Sequence, residues 1–179
     1  PEKGLIAHLR RLIWLQSSVP KLMKNTGAEF FLSPLPEAPL FSSVRSMVIA
    51  HDLIPLRYPS VSFLTSYYKF YVPKVLYQSE LIFCNSNSTA KDIHKYFKIS
   101  YTKLYPIRLG FNKSNFYPLN LERGNFFLVL GRHNPHKNLH RLLQAFSLLR
   151  DKEYKLVFVG PIDDRYTPQL QKLAEELGI

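Results

Sequence analysis

Apolar and polar positions follow two periods along this chain, and each stretch of one period predicts one element. Continuous apolar runs, such as 30–32 and 47–50, indicate strands buried on both faces of a parallel sheet. Apolar residues three and four positions apart, as in 139–149, indicate helices, and Pro20 is expected to end or kink the first one. The predicted strands are 30–32, 47–50, 81–84, 104–107, 126–130 and 154–159, and the predicted helices are 5–24, 62–78, the segment from the turn 85–88 to 97, 138–150 and 167–177.

Strands and helices alternate, which predicts an α/β fold with parallel sheets. The order is clearest between 126 and 178, where strand, helix, strand and helix predict a right-handed βαβα unit. Thr167 is expected to cap the last helix and Gly178 to end it. Two strands cannot make a sheet covered on both faces, and the first half begins on a helix. Both units are therefore expected to be incomplete.

Composition limits the classes of function. Hydrophobic residues form 46% of the chain and charged residues 21%, as in soluble globular proteins. Lys and Arg outnumber Asp and Glu by 24 to 13, and the net charge of +11 attracts nucleic acid, an anionic membrane face or phosphorylated small molecules. Alternatively, the basic side chains only keep the chain soluble. No recognition motif accompanies the charge, so nucleic acid is not expected as a partner.

The single cysteine, Cys84, lies in an apolar run and is expected to be a buried structural thiol. It cannot form an intramolecular disulfide, which favours a reducing compartment. No run approaches the roughly 20 apolar residues that span a bilayer. The sequence therefore predicts a cytoplasmic protein.

Open α/β sheets bind ligands at the carboxyl ends of their strands, and three loops follow predicted strands there. They are His51-Asp52, the segment 131–138, and Gly160-Pro161. In the segment 131–138, Gly131 lets the backbone approach a ligand, Arg132 offers a planar fork for phosphate oxygens, and Lys137 adds a point charge. Asn138 can cap the following helix, whose positive end also favours an anion. These features predict a diphosphate site.

The alternative for this loop is that Arg132 and Lys137 are solvated cations and that His133 and His136 only fill a turn. From the residue types alone, the two interpretations weigh equally. The spacing of the two histidines does not make a zinc site without further ligands, and none is found in the sequence.

The sequences of these loops resemble motifs of glycosyltransferase family 4, and within it those of the mannosyltransferase-like members. Gly131-Arg132 followed by Lys137-Asn138 resembles that family's donor loop, and 51–59 (HDLIPLRYP) resembles a loop of its mannosyltransferases. Two further matches are 86–92 and Gly110-Phe111-Asn112. The resemblance implies a GT-B fold made of two Rossmann-like parallel-sheet domains, both present only in part. Residues 1–112 would belong to the N-terminal, acceptor-side domain, 113–124 to a linker, and 125–179 to the C-terminal, donor-binding domain.

The resemblance also implies a reaction, the retaining transfer of a hexose from a nucleotide diphosphate donor to a hydroxyl of a glycan or lipid-linked acceptor. Mannose is favoured, with GDP-mannose ahead of UDP-sugars, and neither a metal nor another cofactor is required. The implied catalytic residues are His51, Arg132 and Lys137; the implied diphosphate-binding residues are Gly131, Arg132, Lys137 and Asn138; and Asp52, Gly110 and Gly160 would line the cleft.

Three features depart from the family pattern. Its paired glutamates, which have seven residues between them, are missing, since Glu175 and Glu176 are adjacent. Its glycine-rich N-terminal loop would precede Pro1, and Arg108-Leu109 replaces the usual Tyr-Asn. The chain by itself is therefore expected to be an incomplete catalyst.

Two alternatives remain open. The aromatic helix 62–78 is explained either by core packing or by peripheral contact with the inner face of a membrane through its aromatics and lysines. Asp52 is explained either as a residue of the site or as a local brace of its turn. The competing function is a non-catalytic, basic and aromatic binding fragment at an anionic membrane surface.

Overall fold

The structure is a computed structural model that describes residues 4–149 and 153–179. The chain divides into two compact units, one ending at Asn112 and one spanning Lys113–Ile179. Residues 113–124, predicted as a linker, contain no helix or strand. The assignment of the units to an acceptor side and a donor side stays a prediction.

The first unit contains a four-stranded sheet of parallel strands. These are β1 (Phe30–Ser33), β2 (Arg45–Ala50), β3 (Leu81–Cys84) and β4 (Leu104–Pro106), paired in the order β1-β2-β3-β4. The helices in this unit are α1 (Leu5–Ser17), α2 (Val19–Thr26), α3 (Ile54–Arg57), α4 (Phe63–Phe70), α5 (Val72–Gln78) and α6 (Asn87–Phe97). The predicted α/β class is confirmed.

Two segments predicted as single helices are divided in the structure. The segment 5–24 forms α1 and α2, and 62–78 forms α4 and α5, with Pro20 and Pro73 in the first turns of the second helices. Proline has no N–H to donate but is tolerated in a first turn, where that donor has no helical partner. Each proline therefore starts a new helix.

The core of the first unit lies between the sheet and its helices. Val48 and Ile82 from the sheet, Leu76 from α5 and Ile93 from α6 are all fully buried. The prediction that strand 30–32 is buried is wrong, because Leu32 is 58% exposed. β1 stands at the end of the sheet order and has one neighbouring strand, so its apolar residues are less covered.

The second unit has β5 (Phe126–Leu130) and β6 (Lys155–Val159), which pair in parallel, with α7 (Leu139–Ser147) between them and α8 (Thr167–Glu176) after them. This is the predicted order of strand, helix, strand and helix. The helix predicted over 138–150 is α7, which ends at Ser147. Its predicted last residue, Arg150, lies outside the described residues.

The ends of α8 differ in how well they were predicted. Thr167 is the first helical residue rather than the cap, which is Tyr166. At the other end Gly178 adopts a left-handed backbone with φ 68°, and its N–H donates to the Glu175 carbonyl while that of Ile179 donates to Ala174. This pair of bonds is the Schellman pattern that glycine favours, so the predicted end is confirmed.

Candidate functional site

The loops that follow β5 and β6 touch through two glycines. The Gly131 N–H donates to the Val159 carbonyl at 3.0 Å, and the Gly131 backbone has φ +136°, a value that favours glycine. A Cβ on Gly160 would lie 2.1 Å from the Gly131 carbonyl oxygen. Gly160 is therefore needed for the approach of Gly131, a role that the sequence analysis did not assign to it.

The segment 131–138, which we call the donor loop, ends in a 3₁₀ turn, Pro135–Lys137. The Lys137 N–H donates to the Asn134 carbonyl at 2.9 Å, and the Asn138 N–H to the Pro135 carbonyl at 3.0 Å. Asn138 occupies the N-cap position of α7 but is left-handed (φ 58°), and its side chain makes no capping bond. The predicted side-chain cap is wrong, because the left-handed turn that asparagine tolerates takes precedence here.

Arg132 and Lys137 both have exposed side chains. Within residues 4–149 and 153–179, neither head group makes a hydrogen bond or an ion pair. The Lys137 Cε lies 3.9 Å from the place that a Cβ on Gly131 would occupy, so the lysine side chain folds back over the start of the loop. The α7 helix behind the loop has no acidic residue in its first turn. This arrangement suits an anion such as a diphosphate.

His133, between these cations, is tied to α8. Its Nδ1 lies 2.8 Å from the Thr167 Oγ1, and its ring meets the Phe158 ring edge-on, with 5.7 Å between centroids. The sequence analysis gave His133 no role beyond a turn or a zinc ligand. In the part of the chain that the structure describes, no three His, Cys, Asp or Glu side chains are grouped as a metal would require.

In the first unit His51 follows β2, as predicted. Its Nε2 lies 2.9 Å from the Pro34 carbonyl oxygen, and its Nδ1 lies 2.8 Å from the Asn85 Nδ2. The carbonyl can only accept, so Nε2 carries the proton and Nδ1 accepts from the Asn85 amide. Both ring nitrogens of His51 are thus engaged in hydrogen bonds.

Asn85 is a neighbour of His51 that the sequence analysis missed. It follows β3, which is paired with β2, so the rule that singled out His51 also applies to it. The sequence places Asn85 directly after a strand, but only the pairing of β2 with β3 in the fold shows that it lies beside His51.

Asp52 and Gly110 were predicted to line the cleft, and that role stays a prediction. The Asp52 Oδ1 accepts the Ile54 N–H at 2.9 Å, which is the local brace considered as the alternative. A Cβ on Gly110 would meet nothing within 4 Å. The matched segments 51–59 and 86–92 are joined by an ion pair, with Arg57 Nη2 2.7 Å from Asp92 Oδ1.

A buried carboxylate that the sequence analysis missed lies in the loop after β1. Glu37 is 2% exposed and accepts two hydrogen bonds from Arg11, at 2.7 and 2.8 Å, and one from the Tyr67 hydroxyl at 2.9 Å. Burial, reinforced by the Glu37 charge, raises the pKa of Tyr67, and the bond to Glu37 raises that of Arg11. Burial lowers the pKa of His8, which lies beside this pair. The cluster anchors the loop that carries Pro34.

Cys84 and Tyr67 are core residues. Burial raises the pKa of Cys84 to about 11, so the thiol stays protonated at neutral pH, and the expectation of a buried thiol is confirmed. Tyr67 is buried and stacks on Tyr71 with 5.3 Å between ring centroids. Phe63 and Phe70 of the same helix are exposed. Helix α4 thus has a packed side, which carries Tyr67, and an exposed aromatic side.

Several cavities lie in the second unit. One of about 640 Å³ is lined mainly by apolar side chains of α7, β6 and α8, among them Phe146, Phe158 and Ala174. It offers no cluster of cations for a phosphate. Two smaller cavities, of about 290 and 240 Å³, lie where the donor loop meets α8 and share His133 and Leu170.

No helix among the described residues is long and apolar enough to cross a membrane.

Comparison with known proteins connects this geometry to a family. Residues 112–179, which include the donor loop, match the family model described as "Glycosyl transferases group 1". The chain is also similar to the O-antigen chain mannosyltransferase RfbU of Salmonella typhimurium, with 25% identity over 132 residues. That alignment covers 74% of this chain and 36% of the relative, so the chain matches about a third of the relative's length. Residues 112–179 are therefore similar to the group 1 glycosyltransferases, the family that the motif around Arg132 indicated.

Proposed function

We propose that the donor loop holds the diphosphate of a nucleotide-sugar donor in a retaining glycosyltransferase of glycan biosynthesis. The observation that carries this proposal is the pair of exposed cations, Arg132 and Lys137, without partners among the described residues on a loop shaped by Gly131. A guanidinium binds two phosphate oxygens at once, and an ammonium adds charge without fixing direction.

The same cations can accelerate the reaction. When the bond between the anomeric carbon and the phosphate oxygen breaks, the diphosphate gains negative charge, so both cations bind it more strongly in the transition state than in the donor. The acceptor hydroxyl attacks from the face that the diphosphate leaves, and a phosphate oxygen takes its proton. The anomeric configuration is then retained. Two protein cations supply the charge that a metal would otherwise provide.

His51 is assigned a place beside the sugar and the acceptor by family resemblance. Because both ring nitrogens are engaged in hydrogen bonds, its contribution is a fixed polar surface rather than proton transfer. Gly160 supports the loop from behind, and Asp52 braces the turn that follows His51.

Mannose, with GDP-mannose as donor, is the favoured substrate. The motif 51–59 and the printed name of the relative, a mannosyltransferase, both support it. A glycan or lipid-linked acceptor follows from the same name, which refers to the O-antigen chain. A cytoplasmic location with contact at the inner membrane face is supported by the net charge of +11 and by the exposed Phe63 and Phe70.

The test is a titration of the chain with GDP, UDP and GDP-mannose. Arg132→Ala and Lys137→Ala should each weaken diphosphate binding about tenfold or more, since a charge-assisted hydrogen bond contributes roughly 1.5–3 kcal/mol. Lys172→Ala, which removes one positive charge from α8, is the matched control and should leave affinity unchanged. Equal affinity in all three variants would disprove the site. Tighter binding of UDP than of GDP would disprove only the choice of GDP-mannose.

The second candidate, a non-catalytic binding fragment at an anionic membrane, is favoured by Phe63 and Phe70 lying exposed on the helix that carries Lys69. It predicts binding to vesicles rich in anionic lipid. That binding should persist in Arg132→Ala and Lys137→Ala and be lost when Phe63 and Phe70 are replaced by serine. Diphosphate binding by the donor loop would leave this candidate with no explanation for Arg132 and Lys137.

A further inference from the structure

The part of the donor loop between the two cations is fastened to a different element. His133 follows Arg132 directly, and its half-buried ring lies against α8 through the 2.8 Å contact between its Nδ1 and the Thr167 Oγ1. The two residues are 34 positions apart, His133 in the loop after β5 and Thr167 in the first turn of α8. Nothing in the proposed binding of a diphosphate accounts for this contact.

The hydrogen-bond inventory of Thr167 fixes the direction of the bond. Its side chain belongs to a residue that is 7% exposed, and its Oγ1 already accepts the Asp163 N–H at 3.0 Å. A hydroxyl has one proton to donate, and a buried proton without an acceptor is costly. The arrangement that uses every group has Thr167 donating to His133 Nδ1, so the histidine is neutral with its proton on Nε2.

Three attachments then hold the donor loop. At its start, the Gly131 N–H bonds to the Val159 carbonyl; at its end, the 3₁₀ turn closes on Asn134 and Pro135. His133 supplies the attachment in the middle. Arg132 lies between the attachments at Gly131 and His133, so its backbone is fixed, while its side chain has no partner among residues 4–149 and 153–179. A binding group held in this way loses less conformational freedom when the ligand arrives.

The ring of His133 is not held by tight packing. Both of the smaller cavities at this junction are lined by it, so space remains beside the ring. The remaining contact shown for the ring is the edge-on one with Phe158. A replacement of similar size therefore fits, and the hydrogen bond can be tested apart from the volume of the side chain.

We propose that His133 is a positioning residue for diphosphate binding, which fixes the backbone of Arg132 by accepting a hydrogen bond from Thr167. This inference rests on the proposed function of the donor loop and adds α8 to the structure that supports it. It makes the bond between His133 and Thr167 a determinant of affinity for the nucleotide, without contact between either residue and the ligand.

The experiment measures the affinity of the chain for GDP, and for inorganic pyrophosphate, in two pairs of variants. His133→Leu removes the acceptor, whereas His133→Asn keeps one, because the asparagine Oδ1 takes the position of Nδ1. Thr167→Val removes the hydroxyl, whereas Thr167→Ser keeps it. His133→Leu and Thr167→Val should each weaken binding roughly three- to tenfold, as expected for the loss of one buried hydrogen bond, and the conservative partners should restore it.

The double variant His133→Leu/Thr167→Val should bind no more weakly than either single variant, because both remove the same bond. Additive effects, or a loss in His133→Asn equal to that in His133→Leu, would overturn the inference. Arg132→Ala is measured in parallel. If it abolishes binding while His133→Leu does not change it, the proposed function stands and this inference is wrong. If the unaltered chain binds neither ligand, the proposed function itself is wrong.

Discussion

At the carboxyl end of β2, His51 donates one hydrogen bond to Pro34 and accepts another from Asn85, so its ring has no nitrogen left for a ligand. At the carboxyl end of β5, Arg132 and Lys137 have no partner among the described residues. The two loops occupy equivalent positions in parallel sheets, where ligands bind. In the first unit both ring nitrogens of His51 are paired internally, whereas the second unit leaves two positive charges for something else to satisfy.

This difference separates two kinds of polar residue at a strand end. A side chain such as His51, whose polar atoms are already paired, fixes the shape of its loop and resists movement, because moving it breaks those hydrogen bonds. A charge in solvent costs the fold little and is available to an anion. In the first unit the buried carboxylate of Glu37 anchors the loop after β1. In the second unit the close contact between Gly131 and Gly160 holds the loops after β5 and β6 together.

The largest effect is expected from Gly160→Ala. The new Cβ would overlap the Gly131 carbonyl, so the two loops must separate, and we expect the second unit to lose about 3 kcal/mol of stability. Urea unfolding followed by far-UV circular dichroism measures the loss. Gly110→Ala, where a Cβ meets nothing within 4 Å, is the control. Equal stability of both variants would show that the loops do not depend on this contact.

Next in size is Glu37→Ala. It removes the acceptor of the bonds from Arg11 and leaves the buried Tyr67 hydroxyl without its partner, which should cost the first unit about 2–3 kcal/mol. Trp14, the chain's only tryptophan, lies on α1 close to Arg11 and reports the unfolding of this unit by fluorescence. Glu29→Ala is the control. A loss below that of the control would mean that the loop after β1 is held by packing alone.

A smaller effect is expected from pH acting on His8. Burial lowers its pKa in the folded chain, although Glu37 opposes this and Arg11 adds to it. As pH falls, the unfolded chain binds a proton at His8 near the ordinary pKa of about 6.5, before the folded chain does. The contribution of His8 to the stability of the fold is therefore complete above that pH and is lost as pH falls below it. The melting temperature reported by Trp14 should therefore fall between pH 7.5 and 5.5.

The variant His8→Leu should show a shallower fall over the same range, because it has no proton to take up at this position. His140→Gln, which replaces an exposed histidine of α7, should follow the unaltered chain. A variant His8→Leu with the same slope as the unaltered chain would assign the pH dependence to other groups.

The smallest effect is expected from the cations of the donor loop. Arg132→Ala and Lys137→Ala remove no internal bond, so each should change the free energy of unfolding by less than about 0.5 kcal/mol. Urea unfolding under the conditions used for Gly160→Ala provides the measurement. A loss above about 1 kcal/mol would show that these side chains serve the fold, and the contrast between the two strand ends would disappear.

Sequence reasoning was accurate where neighbours along the chain decide the outcome. The run 126–130 became β5, Gly178 ends α8, and the loop that carries Arg132 begins at a strand end as expected. It failed where a distant residue decides. The exposure of Leu32 follows from the edge position of β1. The division of 62–78 was a local error, since Pro73 within that segment starts a new helix.

The amino-acid sequence by itself determined the α/β class and the presence of a glycine and two cations at one strand end, because periodicity and loop motifs act over a few residues. Only the tertiary structure decided which polar groups are already paired. His51 meets Asn85 across 34 positions, Glu37 meets Arg11 across 26, and His133 meets Thr167 across 34. Such pairs form only when the fold brings distant segments of the chain together. A side chain's availability to a ligand is therefore a property of the folded chain.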